Sequence, residues 1–189
     1  MHGLKPYLVG HQEFAALYGV EPQMVSQWLS PSRRVLDSAT AIVVSGVRYW
    51  PLGFACRFGT MTARPKLLDE RYKNRLMAAQ GWGWEADSRN QLPPIVGQQE
   101  IIELFHLPSQ GTLAGTIASG RFPEEDWLLS GSRLWLLDTV IEAAPELREG
   151  ARSLPWEVDD KVAAALRSGT YQGPGSVVLT RGRYARKAL

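Results

Sequence analysis

The residues that could make or break bonds are few in this chain of 189 residues. Cys56 is its only cysteine, so no internal disulfide framework can form. His2, His11 and His106 are scattered without ligand spacing, and no Cys/His metal site or other metal site is expected. No glycine loop of the phosphate- or dinucleotide-binding kind occurs, and "GPG" at 173–175 reads as a turn. The carboxylates form no acid/base framework. Neither catalysis nor a cofactor is expected. What remains is binding chemistry: amides, hydroxyls and guanidiniums at recurring positions. Gln23, Ser26 and Gln27 share one short segment, and Arg33 and Arg34 follow it. Glutamine can pair bidentately with adenine, serine is more permissive, and arginine forks onto phosphate oxygens.

Those residues sit inside a repeat. "LVGHQEFAALYGV" at 8–20 aligns with "IVGQQEIIELFHL" at 95–107, an offset of 87. "SGVRYW" at 45–50 returns as "SGSRLW" at 130–135, an offset of 85. Two blocks in the same order and at nearly the same spacing indicate duplication, with two residues lost from the second copy.

The elements that must position these groups are legible in the first copy. Gln12–Tyr18 forms a short helix with Phe14, Ala15, Leu17 and Tyr18 inward, and Gly19 takes the left-handed turn. Pro22 opens a second helix, "PQMVSQWL", with Val25 and Leu29 as its inner stripe and Pro31 as its stop. "AIVV" is strand-like, "SGV" turns the chain and "RYW" returns it. Pro51 then opens a third helix. Ala15, Gly19 and Val25 have the small–glycine–aliphatic spacing of a helix–turn–helix.

With its hairpin, the unit resembles the MerR-like and excisionase-like winged-helix superfamily of bacteria and their phages and plasmids. "VVSGVRYWPLGFA" and "LLSGSRLWLLDTV" both fit the wing phrase of that family. The resemblance covers roughly residues 7–60 and 94–145. The second copy departs from it: His106 stands for the turn glycine, Thr112 for the core valine, and "SGRF" for the proline-ended helix. The resemblance implies a mainly α protein with small β-hairpin wings, made of two tandem winged helix–turn–helix units joined by a helical connector. The expected domains are 1–62 for unit 1, 63–93 for connector and linker, 94–150 for unit 2, and 151–189 for a C-terminal helix and basic tail.

The resemblance also implies double-stranded DNA as the partner, read in a bipartite site. In unit 1 the contact residues would be Gln23, Ser26, Gln27, Arg33, Arg34 and Arg48. In unit 2 they would be Gln110, Thr112, Thr116, Arg121 and Arg133. A wing arginine either meets the DNA backbone or pairs with a nearby carboxylate, and both readings stand. Trp50 and Trp135 are expected in the core, sealing wing to helices.

Charge divides the two copies. The net charge is +2, yet residues 92–150 carry −6 and the last nine residues carry +4. The tail, with Arg181, Arg183, Arg186 and Lys187, is either a DNA-binding arm or a solubilising tail. Acidic unit 2 either reads DNA or recruits a protein. Residues 64–80 have a helical stripe of Leu68, Tyr72 and Leu76, which packs on its own unit or forms a homodimer seam. Trp82 and Trp84 are expected to anchor the linker, and "SVVLT" to form a short strand. No membrane span is present in the sequence, and a cytoplasmic, nucleoid-associated regulator of transcription, acting as a repressor, is expected. An architectural role in excision or plasmid partition is the alternative.

Overall fold

The computed structural model describes residues 4–150 and 154–179. The chain is mixed α/β, with helices packed around small sheets. Strands β1 (Lys5–Pro6) and β2 (Leu8–Val9) lead into α1 (His11–Leu17) and α2 (Pro22–Trp28). The hairpin β3 (Ile42–Val44) and β4 (Val47–Pro51) follows, then α3 (Leu52–Met61), α4 (Glu70–Gln80) and β5 (Gly83–Trp84). The second half repeats this order: β6 (Ile95–Val96), α5 (Gln98–Leu104), α6 (Gln110–Ala118), β7 (Trp127–Leu129), β8 (Ser132–Leu136), α7 (Leu137–Gly150) and α8 (Asp160–Ser168).

Each hairpin is a three-stranded antiparallel sheet, because the short strand ahead of the first helix pairs with its return strand. Val9 pairs with Trp50, and Val96 with Trp135, in the same register. This third strand was not anticipated; two residues are too short to show a period. Trp50 and Trp135 are fully buried, as expected. Trp50 Nε1 donates to Thr40 Oγ1 at 3.2 Å, and Trp135 Nε1 to the Pro123 carbonyl at 3.0 Å.

Turn chemistry sets the helix boundaries. Gly19 has φ +60°, and His106 holds the matching position at φ +48°. Glu21 and Ser109 cap the two second helices, so the second half has one extra residue in this turn. That shifts the register by one. Leu113 and Thr116 are buried where Val25 and Trp28 are buried. Leu113 therefore replaces the core valine, and Thr112 does not. From the start of the second helix to the start of the hairpin, the second half is three residues shorter, because α6 is two residues longer than α2 while its connection to β7 is five shorter than that from α2 to β3. The net loss of two combines this gain and this larger loss.

The repeat also continues past the hairpins. Asp69 caps α4 and donates its N–H to the Leu17 carbonyl at 2.8 Å. Asp159 caps α8 and donates to the matching Leu104 carbonyl at 2.9 Å. Helix α4 packs on the first core, with Leu76 buried and Leu68, Tyr72 and Met77 partly so. Helix α8 packs Ala163 on the second, beside Trp156. The fourth helix thus belongs to each repeat.

A third core lies between the halves. Leu8, Val44 and Tyr49 from the first meet Ile95, Trp127, Leu129 and Leu134 from the second. The linker reinforces this join: β5 pairs in parallel with β1, and Trp127 Nε1 donates to the Pro6 carbonyl at 3.0 Å. Lys5 donates to the Asp126 carbonyl and lies over the Trp127 ring. Trp82 does not anchor anything: it is 90% exposed. Trp84 sits in β5, where its carbonyl accepts from the Tyr7 N–H at 2.9 Å; the Tyr7 hydroxyl also donates to the Gly81 carbonyl, and the Gln80 amide exchanges two hydrogen bonds with Leu8.

Candidate nucleic-acid interface

The duplicated phrases prove to be two complementary parts of one contact, made twice. Each hairpin turn is Ser-Gly with positive φ at both positions, about +47° for the serines and +79° for the glycines. That is the geometry of the tight hairpin turn that matches strand twist. Serine is a costly choice at positive φ. Its position explains the choice. Ser45 Oγ accepts from the Gln99 N–H at 3.0 Å and donates to Glu100 Oε2 at 2.6 Å. Its N–H donates to Glu100 Oε1 at 2.7 Å. Ser130 does the same on the first half, with Gln12 at 3.1 Å and Glu13 at 2.7 Å to each carboxylate oxygen.

These are helix N-caps supplied from the other half. An ordinary capping box has serine at the cap and glutamate three residues later. Here the caps are Gly10 and Gly97, and the glutamates reach back to their N–H groups at 3.0 Å. The serine arrives from across the interface. Both glycines have extended backbones, so left-handed freedom is not the reason for them. A Cβ at Gly10 would strike Ser130 Oγ, and one at Gly97 would strike Ser45 Oγ. Glycine leaves the room that the serine fills.

This changes the expected role of the hairpin arginines. Gly46 is buried under residues 175–179, and Ser45 and Val47 beside it are half-buried, so the tip of the first hairpin is covered. Arg48 is half-buried and lines a cleft with His11 and Ser26, beside α2. It has no carboxylate partner among the described residues. His11 packs edge-on against Trp50, at 5.2 Å between ring centroids. Burial holds the His11 pKa below its usual value, and the Arg48 charge lowers it further. Arg133 follows the other expected course: its Nε lies 3.4 Å from Glu125 across the sheet.

The second helices differ most. On α2, Gln23, Ser26 and Gln27 are all exposed, with no side-chain hydrogen bond to a described residue. Arg33 and Arg34 are exposed in the turn beyond it, where Arg34 has φ +47° and its Nε donates to the Pro31 carbonyl at 3.2 Å. On α6 the matching positions, given the shifted register, are Gly111, Ala114 and Gly115, also exposed. No hydrogen-bonding side chain occupies any of them.

Two of the expected readers of α6, Thr112 and Thr116, are therefore corrected. Thr116 is buried, and its hydroxyl donates to the Thr112 carbonyl at 2.9 Å. Thr112 is half-buried against the capping Ser109 hydroxyl at 3.1 Å. Gln110 is exposed at the start of the helix, and Arg121 is exposed with Nε on Ser119 Oγ at 3.0 Å. The amphipathic pattern of α6 was weak enough for a one-residue shift to escape notice. Arg181, Arg183, Arg186 and Lys187 lie outside the described residues.

A further element was missed. After α8 the chain runs back to the first hairpin as an irregular strap, and "SVVL" joins no sheet. Gly46 N–H donates to the Gly175 carbonyl at 2.8 Å, and Leu179 N–H to the Gly46 carbonyl at 3.2 Å. Gly175 crosses the Ser45–Glu100 contact closely. The strap makes one contact of the pair deeper than the other: Glu100 is buried, whereas Glu13 is half-buried. No signal in the sequence locates this contact, because an apolar run does not specify its partner.

No helix among the described residues is long and apolar enough to cross a membrane. Compared with known proteins, the chain matches no family model, no curated protein and no solved structure.

Proposed function

We propose that the chain is a tandem winged helix–turn–helix protein that binds double-stranded DNA through α2 of its first unit and regulates transcription, most simply as a repressor. The observation that carries this is the α2 face. Gln23, Ser26 and Gln27 stand exposed and uncommitted on one short helix, with two exposed arginines in the turn beyond it. Such a helix fits the major groove, and a good bidentate amide–base pair supplies about 1–3 kcal/mol of discrimination. Arg33, Arg34 and Arg48 would contact phosphates and set position.

The second unit holds the first in this reading and does not read bases. Its helix face of Gly111, Ala114 and Gly115 has no donor or acceptor beyond the backbone. Its segment 92–150 carries −6, which disfavours a phosphate surface. The same two observations support a second reading, in which unit 2 recruits a protein while unit 1 holds DNA. Excision or partition roles share this chemistry and differ in bending DNA.

Selection of bound duplexes from a random pool tests the proposal. The expected product is a short asymmetric site filling one major-groove segment. Gln27→Ala should change base preference at one position. Arg33→Ala should weaken all sequences alike and reduce the salt slope by about 0.9. Recovery of no enriched site, together with no salt-sensitive binding, would falsify the DNA reading.

A further inference from the structure

The two hairpin tips are alike in sequence and unlike in cover. At the first, the strap lays its backbone along Gly46, whose N–H donates to the Gly175 carbonyl and whose carbonyl accepts from the Leu179 N–H. Val178 and Leu179 line the cleft between this tip and α2, with Ser26, Leu29 and Arg48. Leu179 Cγ lies 3.0 Å from where a Gly46 side chain would begin.

At the second tip nothing takes this place among the described residues. Gly131 has the same backbone, φ +78°, yet it is exposed and its N–H and carbonyl make no hydrogen bond to a described residue. No other part of the chain comes within 4 Å of where its side chain would begin. Leu128, the counterpart of half-buried Val43, is 62% exposed, opposite Arg133. A cleft of about 490 Å³ opens beside the tip, bounded by Gln98, Gln110, Ser132 and Arg133 and by Tyr49 of the first hairpin. Tyr49 is fully buried, and its hydroxyl faces Ser132 without a hydrogen bond of ordinary length. Buried groups left in that condition are rare. The adjoining face of α6 carries Ala114, Ile117 and Ala118 where α2 carries Ser26, Leu29 and Ser30. That face is apolar where its counterpart is hydroxylated.

Topology explains the difference. The chain leaving α8 returns as the strap. The chain leaving α4 is used as the linker, where β5 pairs with β1, so it cannot serve the second tip. The protein therefore has two receiving tips and one strap. Exchange of straps with a second copy would open one tip for each that it closed, and gains no contact.

We infer that the open second tip is a docking site for an extended segment of another protein, held as the strap is held. The segment makes backbone hydrogen bonds to Gly131, sets a small residue over the Ser130–Glu13 contact and lays an aliphatic pair against α6. In this mode main-chain bonds supply affinity and side-chain pockets supply selectivity. Residues 171–179 carry no charge and residues 92–150 carry −6, so the partner segment is neutral at its centre and basic in its flanks. The site gives the protein-recruiting reading of the second unit a surface, and it stands whether or not α2 binds DNA.

The probe is a labelled peptide with the strap's own sequence, YQGPGSVVL, and two lysines at each end. It is titrated into the full chain by fluorescence anisotropy, and backbone amide shifts of isotope-labelled protein map where it sits. Saturable one-to-one binding is expected, weakened by salt, with shifts at Gly131 and along α6 and none at Gly46. Two variants alter the site and leave the core alone. Ala114→Glu puts a carboxylate on the exposed apolar wall. Gly131→Asn fills the receiving space with a residue that tolerates positive φ. Each should weaken the peptide by about tenfold or more, and so should exchange of the flanking lysines for glutamates. Ala114→Glu decides the matter even if Gly131→Asn is unstable.

Absence of saturable binding overturns the inference. Shifts at Gly46 that spare Gly131 overturn it too, because the probe would then only replace the strap. It fails equally if Ala114→Glu binds the peptide as tightly as the parent. Equal affinity for the basic and acidic probes overturns the basic partner. No duplex enters any of these measurements, so their failure leaves the DNA reading where it stands.

Discussion

His11 and Gln98 begin the first helices of the two halves and show how much one side chain can set. Burial and the nearby Arg48 charge lower the folded-state pKa of His11 below its unfolded value of about 6.5. Stability from the neutral ring is therefore complete above pH 6.5 and is lost as pH falls through the folded pKa. His11→Gln, the residue the second half uses, should remove that acid-side loss and leave a pH-independent cost of about 0.5–1.5 kcal/mol for the lost edge contact with Trp50. Urea unfolding at several pH values checks this, and a steep loss below pH 6.5 in the variant would assign the effect elsewhere. Cys56 gives a second expectation. Burial pushes its thiol up to about 11. Roughly one molecule in a thousand is thiolate at pH 8, so alkylation should be slow until denaturant exposes it. The core residues were legible at this scale, because Phe14, Leu17 and Trp50 announce themselves by type and spacing. Thr116 was not: a threonine on a short helix faces in or out according to a single residue of register.

Within elements, local signals were dependable and cross-chain ones were invisible. Pro22 and Gly19 punctuate the backbone wherever they occur, so the helix–turn–helix order could be read without partners. The N-caps could not. Gly10 and Gly97 look like weak caps until the serine of the opposite hairpin is seated against them. Ser45→Ala or Ser130→Ala should each cost about 0.5–2 kcal/mol, the range for losing an N-cap oxygen. Gly10→Ala should cost more, since its methyl meets Ser130 Oγ. Combining Gly10→Ala with Ser130→Gly should cost less than the two single losses added together, because the clash disappears with the hydroxymethyl group. A double-mutant cycle by thermal or chemical unfolding measures that coupling. Additive losses would mean that the two residues do not share the contact.

For the whole molecule, the shared core matters more than either half alone. Seven buried side chains meet between the halves. At about 1.5–3 kcal/mol each, their burial is of the order of the 5–15 kcal/mol net stability of a domain. The chain should unfold in one transition, with tryptophan fluorescence and far-ultraviolet dichroism coincident. Two transitions would show that the halves are separate folding units. The expected division at residues 62 and 94 followed the extent of the repeated phrases and the resemblance they carry, and those phrases cannot report that a linker strand is stitched to the N-terminus or that α4 completes a repeat. Duplication was readable because both contact phrases survive in both copies. Those phrases are alike where the copies grip one another, whereas α2 and α6 differ where they face outward. A symmetric chassis thus carries one dressed face and one bare one, strapped on a single side. Any filament or duplex seated on such a body is held with a defined polarity, so a neighbour bound at one end meets a different surface from a neighbour at the other.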